Sequence, residues 1–241
     1  MRNAVRHPIV TIDGPAGAGK STTSRALAAR LGYVFLDTGA IYRAVALALR
    51  DRAPDLATVL VGAESAAALG EDRQAAMGAL VRQLRIHFSD GGSGVWLDDC
   101  DVSAQIRTPE ISDLASKVSA VGPVREALLE LQRSVGRPGG VVAEGRDMGT
   151  VVFPDAEVKL FLTASVAERA RRRVEELRAK GVSANEAETR AAIEERDARD
   201  SGRAVAPLRC PDDATVIDST GLSAEAVVER MLAAVNARQV S

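Results

Sequence analysis

Short apolar runs separated by longer stretches of helical spacing set the pattern of this chain. Ile9-Val10-Thr11-Ile12-Asp13, Tyr33-Val34-Phe35-Leu36, Val141-Val142-Ala143-Glu144, Val158-Lys159-Leu160-Phe161-Leu162 and Thr215-Val216-Ile217-Asp218 each read as a short buried strand. Between them, apolar residues recur at helical spacing. Thr22, Ala26, Leu27, Arg30 and Leu31 follow the first strand, and Ile41 to Leu49 form a run that stops before Pro54. The Ala-rich segment from about Asp55 to Leu84 has helix-like periods. Thr108-Pro109-Glu110 starts a helix to about Ala120, and Pro123 starts another that Arg137-Pro138-Gly139-Gly140 ends. Ser165-Val166-Ala167-Glu168 reads as a capping box opening a charged helix, Arg169 to about Lys180, closed by Gly181. Asn185 begins a second charged helix ending near Asp200-Ser201-Gly202, and Ser223 to about Arg238 is the last amphipathic one.

Five apolar strands alternating with helices predict an α/β fold around a five-stranded parallel sheet. One stretch breaks the alternation. Leu84-Arg85-Ile86-His87-Phe88, the turn Asp90-Gly91-Gly92-Ser93-Gly94 and Val95-Trp96-Leu97 read as an antiparallel hairpin, hence an inserted subdomain.

The first strand runs into Gly14-Pro15-Ala16-Gly17-Ala18-Gly19-Lys20-Ser21 and then a helix. That is the strand–turn–helix context in which G-x-x-x-x-G-K-[ST] is a phosphate-binding loop. Consecutive backbone N–H groups must converge on one anion, which demands angles that side chains forbid. The helix start adds unpaired N–H groups and the positive end of its dipole. Lys20 reaches the β- and γ-phosphates as a point charge, and Ser21 sets its hydroxyl near Mg²⁺, with Thr22 continuing the loop into the helix. A nucleoside triphosphate with Mg²⁺ is the expected ligand pair.

A length of 241 residues suits one domain of generous size, or a core with insertions. Formal net charge is only −2, so no global field draws the chain to nucleic acid or an anionic membrane. Arginine far outnumbers lysine, and two readings stand: compositional bias, or guanidinium forks that bind phosphates. Cys100 and Cys210 have no metal or redox spacing, which points to a reduced, cytoplasmic setting. Met1 to Pro8 lacks the apolar run of a signal peptide, and no stretch approaches the ~20 apolar residues of a membrane span.

Glu144 ends a strand, where ligands of open α/β sheets gather, followed by Gly145-Arg146-Asp147. It suits an acid near Mg²⁺ or a carboxylate tied to neighbouring N–H groups. Glu195-Arg196-Asp197-Ala198-Arg199-Asp200-Ser201-Gly202-Arg203, taken alone, reads as a solvated helix face with i,i+4 pairs. Arg169, Arg171, Arg172 and Arg173 allow the same reading, and without interleaved aromatics they make a poor RNA surface. A GTP-dependent switch would need Asn-Lys-x-Asp; none of Asn3, Asn185 or Asn236 is followed by Lys. A small-molecule kinase acting on another acceptor is the nearest rival.

Leu36-Asp37-Thr38-Gly39-Ala40-Ile41-Tyr42-Arg43, Ile106-Arg107-Thr108, Glu144 to Asp155 (EGRDMGTVVFPD), Glu195 to Asp200 and Arg203-Ala204-Val205-Ala206-Pro207-Leu208, together with the phosphate loop, resemble bacterial cytidylate kinases, in order along nearly the whole chain. The resemblance implies the three-layer P-loop NTPase fold of the nucleoside monophosphate kinases, with a core (about 1–37, 121–164 and 205–241), a monophosphate-binding subdomain enlarged by an insert (about 38–120) and a mobile helical lid (about 165–204). It implies ATP-dependent phosphorylation of CMP and dCMP by a monomer that binds neither nucleic acid nor membrane. Arg43, Arg146 and Arg203 would hold the acceptor phosphate, beside Thr38 and Tyr42. Ser116, Arg125 and Asp147 would read the cytosine, and Arg196 and Asp200 the sugar hydroxyls. Lys20, Arg146, Arg203 and a lid arginine, Arg172 or Arg173, would neutralise the transferring phosphoryl group. Ser21 and Glu144 would serve the metal. Thr38 and Glu144 stand where some relatives have Ser and Asp, which keeps a hydroxyl and a carboxylate in place.

Overall fold

The computed structural model describes residues 7–89, 94–179 and 181–239. Of the turn predicted at 90–94 only Gly94 is among them, and the segment 1–6 and Lys180 lie outside. The chain divides into two compact units, residues 1–34 with 138–241, and residues 35–137.

The first unit is built on strands β1 (Ile9–Asp13), β6 (Val141–Gly145), β7 (Val158–Thr163) and β8 (Thr215–Asp218). With β2 (Val34–Asp37) they form a five-stranded sheet in the order β2-β6-β1-β7-β8. β1 pairs in parallel with β6 from Ile9↔Val141 to Asp13↔Gly145, and with β7 from Val10↔Val158 to Asp13↔Phe161. Every residue of β1 and β6 is buried, as expected for strands covered on both faces. Helices α1 (Lys20–Leu31) and α9 (Ala224–Gln239) pack on each other; α1 also lies on β6, and α9 on β7 and β8. Among the described residues no helix is long and apolar enough to cross a membrane.

α7 (Val166–Ala179) and α8 (Glu186–Ser201) pair with each other and form the helical lid elements. The capping box that opens α7 is only half made. Ser165 Oγ accepts from Glu168 N at 3.2 Å, but Ser165 N donates to Thr220 Oγ1 and the Glu168 carboxylate accepts from Arg171 and Arg172. Two arginines outcompete one backbone N–H for that carboxylate. α8 begins as expected, with Asn185 Oδ1 accepting from Ala187 N and Glu188 N.

The second unit contains α2 (Thr38–Arg52), α3 (Pro54–Gly62), α4 (Glu71–Arg82), α5 (Pro109–Val118) and α6 (Gly122–Gly136). α4 packs on α6, and α2 on α5. Gly78 permits the first of these, since a Cβ there would lie 2.8 Å from Pro123 Cβ. This close seat accounts for α6 lying in the second unit. The predicted hairpin is present as β3 (Ile86–Phe88) and β4 (Val95–Leu97), and a third antiparallel strand, β5 (Cys100–Asp101), extends it. Asp98 and Asp99 both adopt positive φ in the turn that leads to β5.

Candidate active site

The phosphate loop joins β1 to α1 with three glycines at positive φ: Gly14 at 148°, Gly17 at 77° and Gly19 at 91°. Gly14 is irreplaceable on steric grounds, since a Cβ there would fall 1.9 Å from Leu162 O. Lys20, the first residue of α1, is buried, and its Nζ donates to Pro15 O at 2.7 Å, across the loop. Burial pushes its pKa down to about 7, and Arg146 acts in the same direction, while Glu144 and Asp200 pull it back up. An arriving triphosphate replaces lost solvent with negative charge, so this lysine is set to bind anions.

Ser21 Oγ donates to Glu144 Oε1 at 2.7 Å. The structure thus brings the two expected metal-side residues together across 123 positions of sequence. A hydroxyl and a carboxylate are hard oxygen donors, which suits Mg²⁺. Among the described residues no group of three His, Cys, Asp or Glu side chains gathers to hold a metal unaided. A cation delivered with phosphates needs only one or two protein oxygens.

Arg146, Asp200 and Arg203 form a second cluster. Asp200 is buried; its Oδ2 accepts from Arg146 Nε at 2.8 Å and its Oδ1 from Arg203 Nη2. Burial alone would raise the Asp200 pKa, but Arg146, Arg203 and Arg196 hold it below the usual carboxylate range. Burial likewise works against charge on Arg146, and Asp200, with Glu144 and Asp197, more than offsets it. The carboxylate therefore holds two guanidinium groups in a charged, fixed pair. Segment 195–203 is only in part the solvated face with i,i+4 pairs that its alternating charges suggest: Arg199 pairs with the exposed Glu195 at 2.7 Å, but Asp200 and the Arg203 side chain are both buried.

Asp147 is buried at the start of a π-helical turn, Met148–Val152. Its carbonyl accepts from Val151 N and Val152 N. Such wide turns occur where backbone must be re-aimed near a site.

Arg172 lies against the phosphate loop, its Nη1 3.5 Å from where a Gly19 Cβ would stand. It is held there by Glu168, by Ser219 Oγ at 3.0 Å and by Ser219 O at 2.7 Å. Arg173 instead pairs with Glu176 along α7 at 2.7 Å.

In the second unit, Asp37 caps α2 by accepting from Ala40 N at 2.8 Å and also receives Arg43 Nη2 at 3.2 Å. Thr38 is buried as the first residue of α2. The Arg125 guanidinium stands 5.6 Å over the Tyr42 ring and donates to Ser119 O at 3.0 Å. Ser116 is buried on α5, its carbonyl accepting from Ser119 Oγ.

Asp13 is an organising residue that motif reading passes over, and Asp37 lies within a motif but gains no role of its own from it. Both are acids that end an otherwise apolar strand, and that placement is the signal. A carboxylate at a buried strand end has to meet donors there.

A model of the family described as Cytidylate kinase matches residues 10–237. The chain belongs to the cytidylate kinase family. A cytidylate kinase of Geobacter sulfurreducens is 51% identical over 233 residues, covering 96% of this chain and 94% of that one. One of Syntrophotalea carbinolica is 50% identical over 236 residues, covering 97% and 94%. One of Methylococcus capsulatus is 48% identical over 229 residues, covering 95% and 96%. The chain is thus a member of the nucleoside monophosphate kinase group of P-loop NTPases, whose cytidylate branch is a set of phosphotransferases using ATP and Mg²⁺.

Proposed function

We propose that this chain phosphorylates CMP and dCMP at the expense of ATP by in-line transfer, and that the clusters described above divide the work. The observation that carries the reading is the phosphate loop with Lys20 buried at its mouth and Ser21 bonded to Glu144, in a chain of the cytidylate kinase family. Gly14 to Thr22 bind the triphosphate, with backbone N–H groups cradling it and the Lys20 ammonium on the β- and γ-oxygens. Ser21 and Glu144 would hold Mg²⁺, which would supply neutralising positive charge to the triphosphate.

Arg43, Arg146 and Arg203, with Thr38 and Tyr42, bind the acceptor phosphate. Asp200 presets Arg146 and Arg203, so little ordering is left for the moment of transfer. Ser116, Arg125 and Asp147 read the base, and Arg196 and Asp200 the sugar. No general base is required, because a phosphomonoester is mostly dianionic near neutrality, its second pKa being about 6. Positioning and charge neutralisation are what the reaction needs. Arg172, or Arg173 after release from Glu176, completes the charge around the γ-phosphoryl group when α7 and α8 close.

The chain acts as a monomer in the cytoplasm, without a nucleic-acid or membrane partner. The absence of a nucleic-acid or anionic-membrane partner is supported by a formal net charge of −2 and by the pairing of Arg171, Arg172 and Arg173 with Glu168, Glu175 and Glu176, which leaves no run of free arginines among these three on α7. The test is ADP production from ATP over a panel of monophosphates. CMP and dCMP should lead; equal rates with AMP and CMP overturn the assignment.

A further inference from the structure

α7 sends into the phosphate loop one side chain to which none of the roles above is given. Arg169 is buried. Its Nε donates to Ala164 O at 3.1 Å, just past the end of β7. Its Nη1 donates to Ala16 O at 3.0 Å, inside the loop, and stands 2.6 Å from Asp197 Oδ2 on α8. The loop is moulded to this arginine, for a Cβ at Gly17 would lie 3.2 Å from Arg169 Cβ.

Packing alone does not call for a guanidinium here. An apolar side chain of similar volume fills a buried site at least as well, without desolvating a charge. What the guanidinium adds is a planar fork that reaches acceptors on three segments at once. Two of those segments matter for the reaction: the loop that holds the triphosphate, and the helix that carries Arg196 and Asp200. Asp197 adjoins Arg196 and precedes Asp200 by three residues, about one helical turn.

We propose that Arg169 is a positioning residue that couples the phosphate loop to α8, so that seating the triphosphate aligns the acceptor site and the acceptor in turn tightens the triphosphate. The inference rests on the assignment of Arg196 and Asp200 to the acceptor. An anion in the loop fixes the peptide planes around Ala16, the fork follows Ala16 O, and Asp197 carries that orientation into α8. Such coupling is reciprocal by thermodynamic necessity.

The experiment is calorimetric titration of the full chain with CMP, with and without a saturating non-hydrolysable ATP analogue and Mg²⁺. It is run on wild type, Arg169→Lys and Asp197→Asn, with thermal midpoints recorded alongside. Wild type should bind CMP about fivefold or more tighter with the analogue present, the lower end of ordinary coupling. Arg169→Lys keeps the charge but loses the fork, and Asp197→Asn keeps the shape but loses the charge; in both the factor should fall towards one while CMP binding to the empty enzyme persists. A merely structural lesion would weaken both measurements together and leave their ratio intact. A wild-type factor of one, or variants that keep the wild-type factor, overturns the proposal. Arg196→Ala separates the two layers. If it leaves CMP affinity unchanged, the acceptor assignment falls; if it weakens CMP while the Arg169 and Asp197 variants keep full coupling, only the strut falls.

Discussion

Asp13 accepts two backbone N–H groups, Met148 to its Oδ1 and Gly149 to its Oδ2, each at 2.8 Å. One carboxylate at the end of β1 thereby fixes the start of the π turn that follows Asp147. Burial raises its pKa from the ordinary 3.8 to about 6, against the pull of those two hydrogen bonds. Because the folded value is the higher one, the folded state binds more protons between about pH 4 and 6. Its contribution to stability is complete below about pH 4 and is lost as pH rises through 6. A rise of that size corresponds to about 3 kcal/mol. Asp13→Asn removes this titration, so the stability of wild type relative to the variant should decline across that window and level off above it. Urea midpoints at several pH values check this; parallel curves would mean that Asp13 titrates like a surface carboxylate.

Gly14→Ala sets a methyl carbon 1.9 Å from Leu162 O at a φ of 148°. Neither the carbonyl nor the backbone angle can yield cheaply, so about 3 kcal/mol or more of stability should be lost through overpacking and strain. Triphosphate binding should weaken with it. Thermal unfolding read beside ATP titration checks both, and a variant of unchanged midpoint would contradict the loop geometry.

The parallel core was legible because its strands are continuous apolar runs, and several helices outside it were legible because they start at Pro109 or Pro123 or stop at Gly181 or Gly202. The phosphate loop was legible because its chemistry is local. β5 was not, since two exposed residues, Cys100 and Asp101, carry no alternation. The π turn at Met148–Val152 was not legible either, because the residue that fixes its start, Asp13, lies 135 positions away. The burial of Asp200 was hidden in the same way. Its neighbours in sequence suggest a solvated helix, and the partner that neutralises it, Arg146, is 54 residues distant. Arg169 meets Ala16 O across 153 residues, and no spacing rule spans that.

On the proposed role of Lys20, Lys20→Ala removes a charge that should act on the γ-phosphoryl oxygens more strongly in the transition state than in bound ATP. The kcat should fall by about 10²–10³, the range for one preorganised electrostatic donor. The fold should persist, since the loop is shaped by its backbone and the variant relieves a buried ammonium. Near-normal turnover would remove Lys20 from the transfer step.

Arg172 and Arg173 should not be equivalent. Arg172 already borders the loop, whereas Arg173 has to leave Glu176 first. Arg172→Ala is expected to lower kcat by about 10²-fold or more, as loss of a transition-state donor does, and Arg173→Ala to cost less. Single-turnover rates at saturating CMP give the comparison, and the reverse order would reassign the lid arginine.

Base choice is expected to turn on Asp147. Cytosine offers an N4–H₂ donor where uracil has an O4 acceptor, and an ionised carboxylate only accepts. Asp147 should therefore favour CMP over UMP by ~1–3 kcal/mol, the worth of a good base-edge contact. Its burial at the head of the π turn strengthens the effect, because water cannot stand in for the missing donor when uracil is present. Asn at this position has one acceptor and one donor face and can turn either to a base. Asp147→Asn should thus lower kcat/KM for CMP while narrowing the CMP-to-UMP ratio. If Asp147 serves only to hold neighbouring groups in place, both substrates should suffer alike. Measuring kcat/KM for both monophosphates in wild type and variant decides between these outcomes, and an unchanged ratio would take Asp147 out of base recognition.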